Sequence, residues 1–191
     1  MLTPTNELSA VNILLGTIGE SPINSIDDIS GVVDAVTARQ VLNEISIAVL
    51  TEGWHFNSEE NWTFLPTVNG EIAIPKTIIQ ADAVDRNEDV SLRGKRLYDK
   101  KNHTYVFNRP VTLDCVIAFE FDDLPQAAQY YITIRAARVF QNRTVGSEAL
   151  RSFTSEDETR ARVALVRYDA RTANYNMLSG SYSVARTLQR R

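Results

Sequence analysis

Residues 7–22 read Glu7-Leu-Ser-Ala-Val-Asn-Ile-Leu-Leu-Gly-Thr-Ile-Gly-Glu-Ser-Pro22. Apolar residues recur in this stretch at the spacing of one helical face: Leu8, Val11, Leu15 and Ile18. Pro4 suits the first turn of such a helix, because its missing amide hydrogen would have no intrahelical partner there. Gly19 can adopt the left-handed conformation that ends a helix, and Pro22 stops the helix from resuming. The sequence therefore predicts a short amphipathic helix whose apolar face needs a partner.

A second amphipathic helix is predicted from about Val32 to Glu52. Its apolar positions repeat along one side: Ala38, Val41, Leu42, Ile45, Ala48 and Val49. The preceding turn is rich in Ser, Asn and Asp, so either residues 25–28 or Ser30 could cap its start, and Gly53 would close it. Because only a short turn joins the two helices, we expect an antiparallel pair.

The hydrophobic period changes after Gly53, and residues 54–121 predict a mostly antiparallel β region. Asn69-Gly70 is a hairpin signal, and residues 72–74 run into Pro75, which is typical of an edge strand. Arg93-Gly94 predicts a second hairpin between residues 90–92 and 96–98, and residues 104–107 follow as another extended segment. The clearest strand spans residues 111–121 and places alternate side chains on one face: Val111, Leu113, Cys115, Ile117, Phe119 and Phe121.

Two more helices are predicted after the β region. Residues 122–125, two acids followed by Leu and Pro, favour a helix start, and this third helix should run to about Asn142. Its buried positions are predicted to be Ala128, Tyr131, Ile132, Ala136 and Val139. Gly146 would break it. Residues 147–174 contain no glycine or proline and predict one long fourth helix, although residues 155–158 form a capping box that could begin a separate helix.

These elements predict an α+β fold, a four-helix bundle with an antiparallel β region inserted between helices 2 and 3. Neither helical pair should be stable alone, because isolated short helices are marginal. The expected domains are a helical bundle formed by residues 1–53 and 122–174, an inserted β domain at 54–121, and a C-terminal docking tail at 175–191.

Composition narrows the class of protein. The chain of 191 residues is 43% hydrophobic and 23% charged, which is ordinary for a protein with a buried core. No apolar run approaches the ~20 residues of a membrane span, and no secretory leader is visible. The single cysteine, Cys115, excludes an intrachain disulfide and fits a reducing compartment such as a cytoplasm.

Few residues are available for catalysis or for binding a cofactor. His55, His103 and Cys115 offer too few partners for a metal site or a nucleophile–base pair, and Cys115 is expected to be a buried, inert thiol. The common nucleotide, hydrolase and zinc-protease motifs are absent. We therefore expect no cofactor and no metal.

The charge is distributed unevenly along the chain. Residues 1–134 contain 9 Lys and Arg and 19 Asp and Glu, a net charge of −10. Residues 135–191 contain 11 Arg and 5 Asp and Glu, a net charge of +6. Arginine suits bidentate recognition of carboxylates or phosphates on a partner, but it is also a good helix former on a solvated face.

Four separated segments carry a family resemblance: residues 7–12 with 18–20 and Pro22, residues 52–57 with Glu59 and Glu60, residues 136–143 with Gly146, and residues 175–178. In order and spacing they resemble tail tubular protein A of short-tailed bacteriophages. The resemblance covers nearly the full length, although residues 67–109 match poorly. It implies a structural virion protein and no enzyme: a dodecameric adaptor ring, assembled in the host cytoplasm and located in the virion tail. Its implied partners are the portal protein, the nozzle protein (tail tubular protein B) and the tail fibre.

A closed ring of identical chains needs two different patches that meet on neighbouring subunits. The acidic first part and the basic last part of the chain suggest that unlike charges could meet there. Arg160, Arg162 and Arg167 are the predicted inter-subunit residues. The genome should pass through the lumen without specific binding, because each phosphate contact would retard its movement.

The residues after 174 lose helical periodicity while keeping apolar, aromatic and basic side chains. Such a segment is typical either of a docking peptide that orders on a partner or of a frayed terminus. The predicted portal contacts are Tyr175, Met177, Leu178, Tyr182, Arg186, Arg190 and Arg191.

A glycoside hydrolase acting on cell-wall or capsular polysaccharide is the enzymatic alternative. Glu59 and Glu60 lie between Trp54 and Trp62, so carboxylates are placed beside aromatic rings that could stack on sugar. Adjacent residues on a strand point to opposite faces, which makes this pair a poor dyad.

Overall fold

The computed structural model describes residues 5–27, 29, 31–146 and 153–173. Within these ranges the chain forms four α-helices and five strands, so the predicted α+β class is confirmed. In chain order the elements are α1 (Glu7–Gly16), α2 (Val33–Leu50), β1 (Ser58–Phe64), β2 (Ile78–Ala83), β3 (Val90–Arg93), β4 (Arg96–Asp99), β5 (Val111–Ile117), α3 (Gln126–Thr144) and α4 (Ser155–Thr172), with 3-10 turns at His55–Asn57 and Phe121–Asp123.

Helix α1 begins and ends close to the predicted residues. Asn6 caps it, because its side chain accepts a hydrogen bond from the Ser9 N–H at 2.8 Å. The helix therefore starts after Pro4, which lies outside the described residues. At the other end Gly19 has a φ of +84° and the Glu20 N–H donates to the Leu15 carbonyl. The Leu15 carbonyl, which has no partner within the helix, thus gains a hydrogen bond. The turn requires a left-handed residue at position 19, as the sequence predicted.

Helix α2 buries the predicted stripe, with Ala38, Val41, Ile45 and Val49 in the core. Ala48 is exposed instead. The predicted N-cap is wrong: the N-cap residue is Val32, whose side chain makes no capping hydrogen bond. Tertiary packing thus fixes where this helix begins, and local capping does not.

Five strands form two antiparallel sheets. The larger sheet has the order β1-β5-β2, so β5 lies at its centre, and β3 pairs with β4 in the smaller one. The β3–β4 hairpin turns at Gly94 as predicted. Val111, Leu113 and Cys115 on β5 are buried, which confirms the alternation in the first part of that strand.

Two predictions in the β region are wrong, the hairpin at Asn69-Gly70 and the burial of Phe119, and two predicted extended segments pair less than a full strand would. The turn at Asn69-Gly70 forms, with the Thr67 N–H donating to the Glu71 carbonyl at 2.8 Å, but it does not join two paired strands. Residues 72–74 and 104–107 make only isolated bridges to other segments. Phe119 is exposed, because β5 ends at Ile117 and the alternation ends with it.

Helix α3 starts at Gln126, a short turn after the acidic residues that were predicted to begin it. Asp122 and Asp123 lie in the 3-10 turn, and Pro125 occupies the N-cap position rather than the first turn. The predicted buried positions Ala128, Tyr131, Ile132 and Ala136 are confirmed, whereas Val139 is half-buried.

The prediction of one long fourth helix over residues 147–174 is wrong. Thr154 is extended, with φ −93° and ψ 168°, so no helix passes through it. Its hydroxyl accepts from the Asp157 N–H, and the Asp157 carboxylate accepts from the Thr154 N–H. This reciprocal capping box begins α4 at Ser155, one residue from the box that the sequence suggested.

Two separate hydrophobic clusters hold the molecule. The helical cluster takes fully buried residues from every helix, among them Leu14, Leu42, Ile132, Phe140 and Leu165. The β cluster is smaller and includes Ile72, Leu97, Val111, Leu113 and Cys115. Both the sheet and the helices therefore bury their own apolar faces.

Candidate assembly interface

Several arginines of the basic last part of the chain are paired within the molecule. Arg162 on α4 makes a two-pronged contact with Glu52, at 3.2 and 2.7 Å, and also reaches the hydroxyl of buried Tyr131 at 3.3 Å. The hydrogen bond with Tyr131 and then that with Glu52 raise the pKa of Arg162. Arg162 thus holds α4 to the chain that follows α2.

A second set of contacts joins α3 to α4. Glu158 on α4 is largely buried and accepts a hydrogen bond from Arg138, with Arg135 at 3.8 Å on its other oxygen. On the far side of α3, Arg143 makes a bidentate pair with Glu44 of α2, at 2.7 and 2.8 Å. These pairs serve the fold of one chain, so a large part of the basic charge is not available to a partner.

The structure separates the three predicted inter-subunit arginines. Arg162 is paired with Glu52 and Tyr131, as described above, although 47% of its side chain stays exposed. Arg160 is highly exposed and lies 3.6 Å from Glu156 and 3.7 Å from Asp157, distances typical of weak surface pairs. Arg167 is exposed and makes no ion pair within the described part of the chain. Two of the three are therefore oriented for an external contact.

The outer side of α4 forms a continuous surface that we call the arginine face, made of Arg160, Val163, Val166, Arg167 and Arg171. Ala161 and Leu165, on the opposite side of the helix, are buried in the helical cluster. Val163 is 42% and Val166 48% exposed. Arg171 and the two valines were not among the predicted interface residues, although the spacing of 7 and 4 residues between the arginines gives one helical side.

A second exposed surface with apolar side chains lies where α2 meets the connection from β5 to α3. It is a hollow of about 290 Å³ and includes Ile47 (47% exposed) and Phe119 (37% exposed). Its other lining side chains include Asn43, Lys76 and Glu120. Buried Phe121 follows Glu120, and exposed Asp122 and Asp123 come next. The Asp123 N–H donates to the Glu120 carbonyl at 3.1 Å, which keeps these two acids close to the hollow. We call this surface the α2–β5 hollow.

Glu59 and Glu60 lie on β1 and are exposed. They line a groove of about 490 Å³ on the face of the β1-β5-β2 sheet, together with Asp82 and Asp114. A β-bulge lies between Glu59 and Trp62, and Asn61 within it has a φ of +58°. The groove is formed by neighbouring strands of one sheet, with no second wall to enclose a sugar ring.

Of the two aromatic residues expected beside these glutamates, Trp54 is not available, while Trp62 on the same strand is 40% exposed. Trp54 is buried and its indole N–H donates to the Val49 carbonyl at 2.8 Å. Trp62 packs against Phe64, with ring centroids 5.0 Å apart. Burial, with the nearby Asp114 and Glu59 carboxylates, raises the pKa of the Cys115 thiol. No observation favours hydrolysis at this groove.

The predicted portal contacts fall on residues 175–191, and Tyr175, Met177, Leu178, Tyr182, Arg186, Arg190 and Arg191 all lie outside the described residues. In the described ranges no helix is both long and apolar enough to cross a membrane. The same ranges contain no group of three or more His, Cys, Asp or Glu side chains placed to hold a metal ion.

Comparisons with known proteins agree with one another. A family model described as "Tail tubular protein" matches residues 8–175 of the chain. The chain is also 29% identical over 153 residues to tail tubular protein A of Klebsiella phage KP34, an alignment that covers 80% of this chain and 81% of the relative.

Proposed function

The chain belongs to the tail tubular protein family of structural bacteriophage tail proteins, and on this premise we propose that it forms the adaptor ring between the portal and the tail nozzle. The observation that carries the proposal is the family match across residues 8–175, which spans the helices and the β region alike. In this proposal the ring is a dodecamer, is assembled in the host cytoplasm and supports attachment of the tail fibre.

We propose that the helical and β parts of the chain have different roles in the ring. The four helices, within residues 1–53 and 122–174, act as one bundle that forms the body of the ring. The β domain at 54–121 is inserted between α2 and α3 and extends from this body toward the nozzle protein or the fibre. The two separate hydrophobic clusters support this division, because each part buries its own apolar residues.

We propose that Arg160 and Arg167 contribute to the contact between subunits. Both are exposed on α4, where a guanidinium can pair with a carboxylate of a neighbouring chain. Arg162 belongs to the same prediction, but its contacts with Glu52 and Tyr131 support a role in holding α4. Residues 175–191 are proposed to dock on the portal protein.

We propose that double-stranded DNA passes through the lumen of the ring without specific binding. The chain has a net charge of −4, and several of its arginines are paired with carboxylates of the same chain. A lumen with few free cations would add little salt-dependent affinity for phosphates and would let the DNA move.

The mass of the assembled species tests the proposal. We expect purified protein, alone or mixed with the portal protein of its phage, to give a species with the mass of a dodecamer by mass photometry. The portal should also be retained by the ring in size-exclusion chromatography. A protein that stays monomeric under both conditions would show that the proposed function is wrong.

A further inference from the structure

The arginine face of α4 is a surface without a partner in the described part of the chain. Helix α4 packs against α3 and against the 3-10 turn His55–Asn57, and these contacts leave its outer side open. Arg160 has only its long contacts to Glu156 and Asp157, while Arg167 and Arg171 make no ion pair among the described residues. Three guanidinium groups along one line, beside two exposed valines, make a surface that is both basic and apolar.

The α2–β5 hollow has the complementary properties. Ile47 and Phe119 are exposed within it. Phe119 would have pointed into the sheet if β5 had continued, but the strand ends at Ile117 and the ring is left at the surface. Glu120 lines the hollow, and Asp122 and Asp123 lie in the 3-10 turn that follows it; we call these three acids the rim.

The carboxylates of the rim are largely free for an external contact. Asp122 accepts a hydrogen bond from the Glu7 N–H at 2.7 Å, and Glu120 interacts electrostatically with Arg39. No ion pair is made by Asp123 within the described ranges. Among the residues that line the hollow, Lys76 is the cation and Glu120 the acid. The exposed Asp122 and Asp123, in the turn beside Glu120, give this region its excess of negative charge.

We propose that the arginine face of one subunit docks into the α2–β5 hollow of the next subunit, a contact that rests on the ring proposed above. The two surfaces are built from different elements of the same chain, as a head-to-tail interface in a closed ring requires. In this contact Val163 and Val166 cover Ile47 and Phe119, where burying apolar surface gives affinity. Arg167 and Arg171 meet Glu120 and Asp123, where unlike charges set orientation and exclude wrong partners.

The test reverses the charge on each surface separately. One variant carries Arg167→Glu and Arg171→Glu, and the other carries Glu120→Arg and Asp123→Arg. In each variant like charges would meet across the interface, so we expect the concentration for half-maximal assembly to rise about tenfold or more at low salt. Arg86→Glu is the matched control, because Arg86 is exposed on the β region and lies on neither surface.

Mixing the two variants gives the decisive measurement. Each copy then offers its neighbour an oppositely charged surface, so an equimolar mixture should recover assembly, and so should one chain that carries all four substitutions. Circular dichroism and thermal unfolding of each variant would show that the chains remain folded, since all four positions are exposed.

The outcomes separate this inference from the proposed function. If wild type assembles and the reversed variants assemble equally well, the inference is wrong and the ring stands. If the variants form rings but no longer retain the portal, the arginine face binds the portal and the inference is again wrong. If wild type forms no ring with or without the portal, both proposals fail together.

Discussion

Asn57 connects the helical and β parts of the molecule through one buried side chain. Its amide nitrogen donates to the Leu50 carbonyl at the end of α2 and to the Ile117 carbonyl at the end of β5, both at 2.9 Å. Its carbonyl oxygen accepts from the Trp54 N–H at 2.8 Å. The Leu50 and Ile117 carbonyls lie at the ends of α2 and β5, where regular secondary structure no longer supplies every hydrogen-bond partner. The Asn57 side chain bonds to them there.

Replacing Asn57 with Ala should destabilise the protein by about 2 kcal/mol, because the Trp54 backbone N–H and the Ile117 carbonyl would lose their bond to this side chain, while the Leu50 carbonyl keeps the Gly53 N–H. Chemical denaturation followed by tryptophan fluorescence would measure the change, with Trp54 close to the altered site. Asn108→Ala is the control, since Asn108 is exposed and a surface substitution of this kind changes stability by less than about 0.5 kcal/mol. Equal stability of the two variants would show that Asn57 does not hold the junction.

Arg162 and Arg167 are the same residue type on the same helix, but they have different surroundings. Five residues apart on α4, they point to different sides of it. One meets Glu52 and Tyr131 inside the chain, and the other is exposed. Both belong to the same basic segment, and only the direction in which α4 packs on α3 gives them different surroundings.

At the scale of the element, α4 is defined by its start. Thr154 and Asp157 bond to each other's backbone N–H groups, which would otherwise remain free at the end of a helix. The first turn also carries Glu156 and Glu158, which interact favourably with the positive end of the helix. Because this turn also places Glu158 against Arg138 of α3, the cap affects a tertiary contact as well as local structure.

Thr154→Ala should lower the free energy of unfolding by about 1 kcal/mol, the usual contribution of a side-chain N-cap. Thermal or urea unfolding at neutral pH would measure it. Ser155→Ala is the matched control, because Ser155 is the first residue of α4 and its hydroxyl makes no cap hydrogen bond. Similar losses in both variants would contradict the capping role of Thr154.

The cap also has a pH dependence with a definite sign. Hydrogen bonds from the Thr154 N–H and then from its hydroxyl lower the pKa of Asp157. A carboxyl whose pKa is lower in the folded state stabilises it above the unfolded value, about 4, and loses that effect as the pH falls through the folded value. In the Asp157→Asn variant, stability should therefore change less than in wild type as the pH falls from about 5 to about 2.

At the scale of the whole molecule, the distribution of charge differs from what its sequence suggested. The net charges of the two parts of the chain imply a basic end facing an acidic body. In the structure many of these charges already pair within the chain, as in Arg143 with Glu44 and Arg162 with Glu52. Among the described arginines of residues 135–173, the two without an ion pair are Arg167 and Arg171, and both lie on the arginine face. This face is a smaller surface than the basic segment as a whole.

Removing residues 176–191 should leave a folded protein that no longer captures the portal protein. The described helices and sheets all lie before this segment, so their hydrophobic clusters should be unaffected. Circular dichroism would report the fold, and co-purification with the portal would report capture. If the truncated protein captures the portal as well as the full chain does, the assignment of the docking tail is wrong.

Sequence alone identified the family and the general fold. The apolar spacing of α1, α2 and α3, the left-handed glycine at position 19 and the alternation at Val111, Leu113 and Cys115 are local patterns, and local patterns can be read without knowing what packs against them. Helical spacing likewise places Arg160 and Arg167, seven residues apart, on one side of α4.

Tertiary structure decided what depends on partners distant in sequence. Strand β1 pairs with β5, about fifty residues later in the chain, and not with the segment that follows the Asn69-Gly70 turn. Helix α2 begins at a residue without a side-chain cap. Phe119 is exposed and Trp54 is buried, because each depends on which element packs beside it. For the same reason Arg162 is paired, while Arg167 makes no ion pair with any residue that the structure describes. Residue type and spacing determine which side of a helix or strand a residue occupies, but only the packed chain determines whether that side meets protein or solvent.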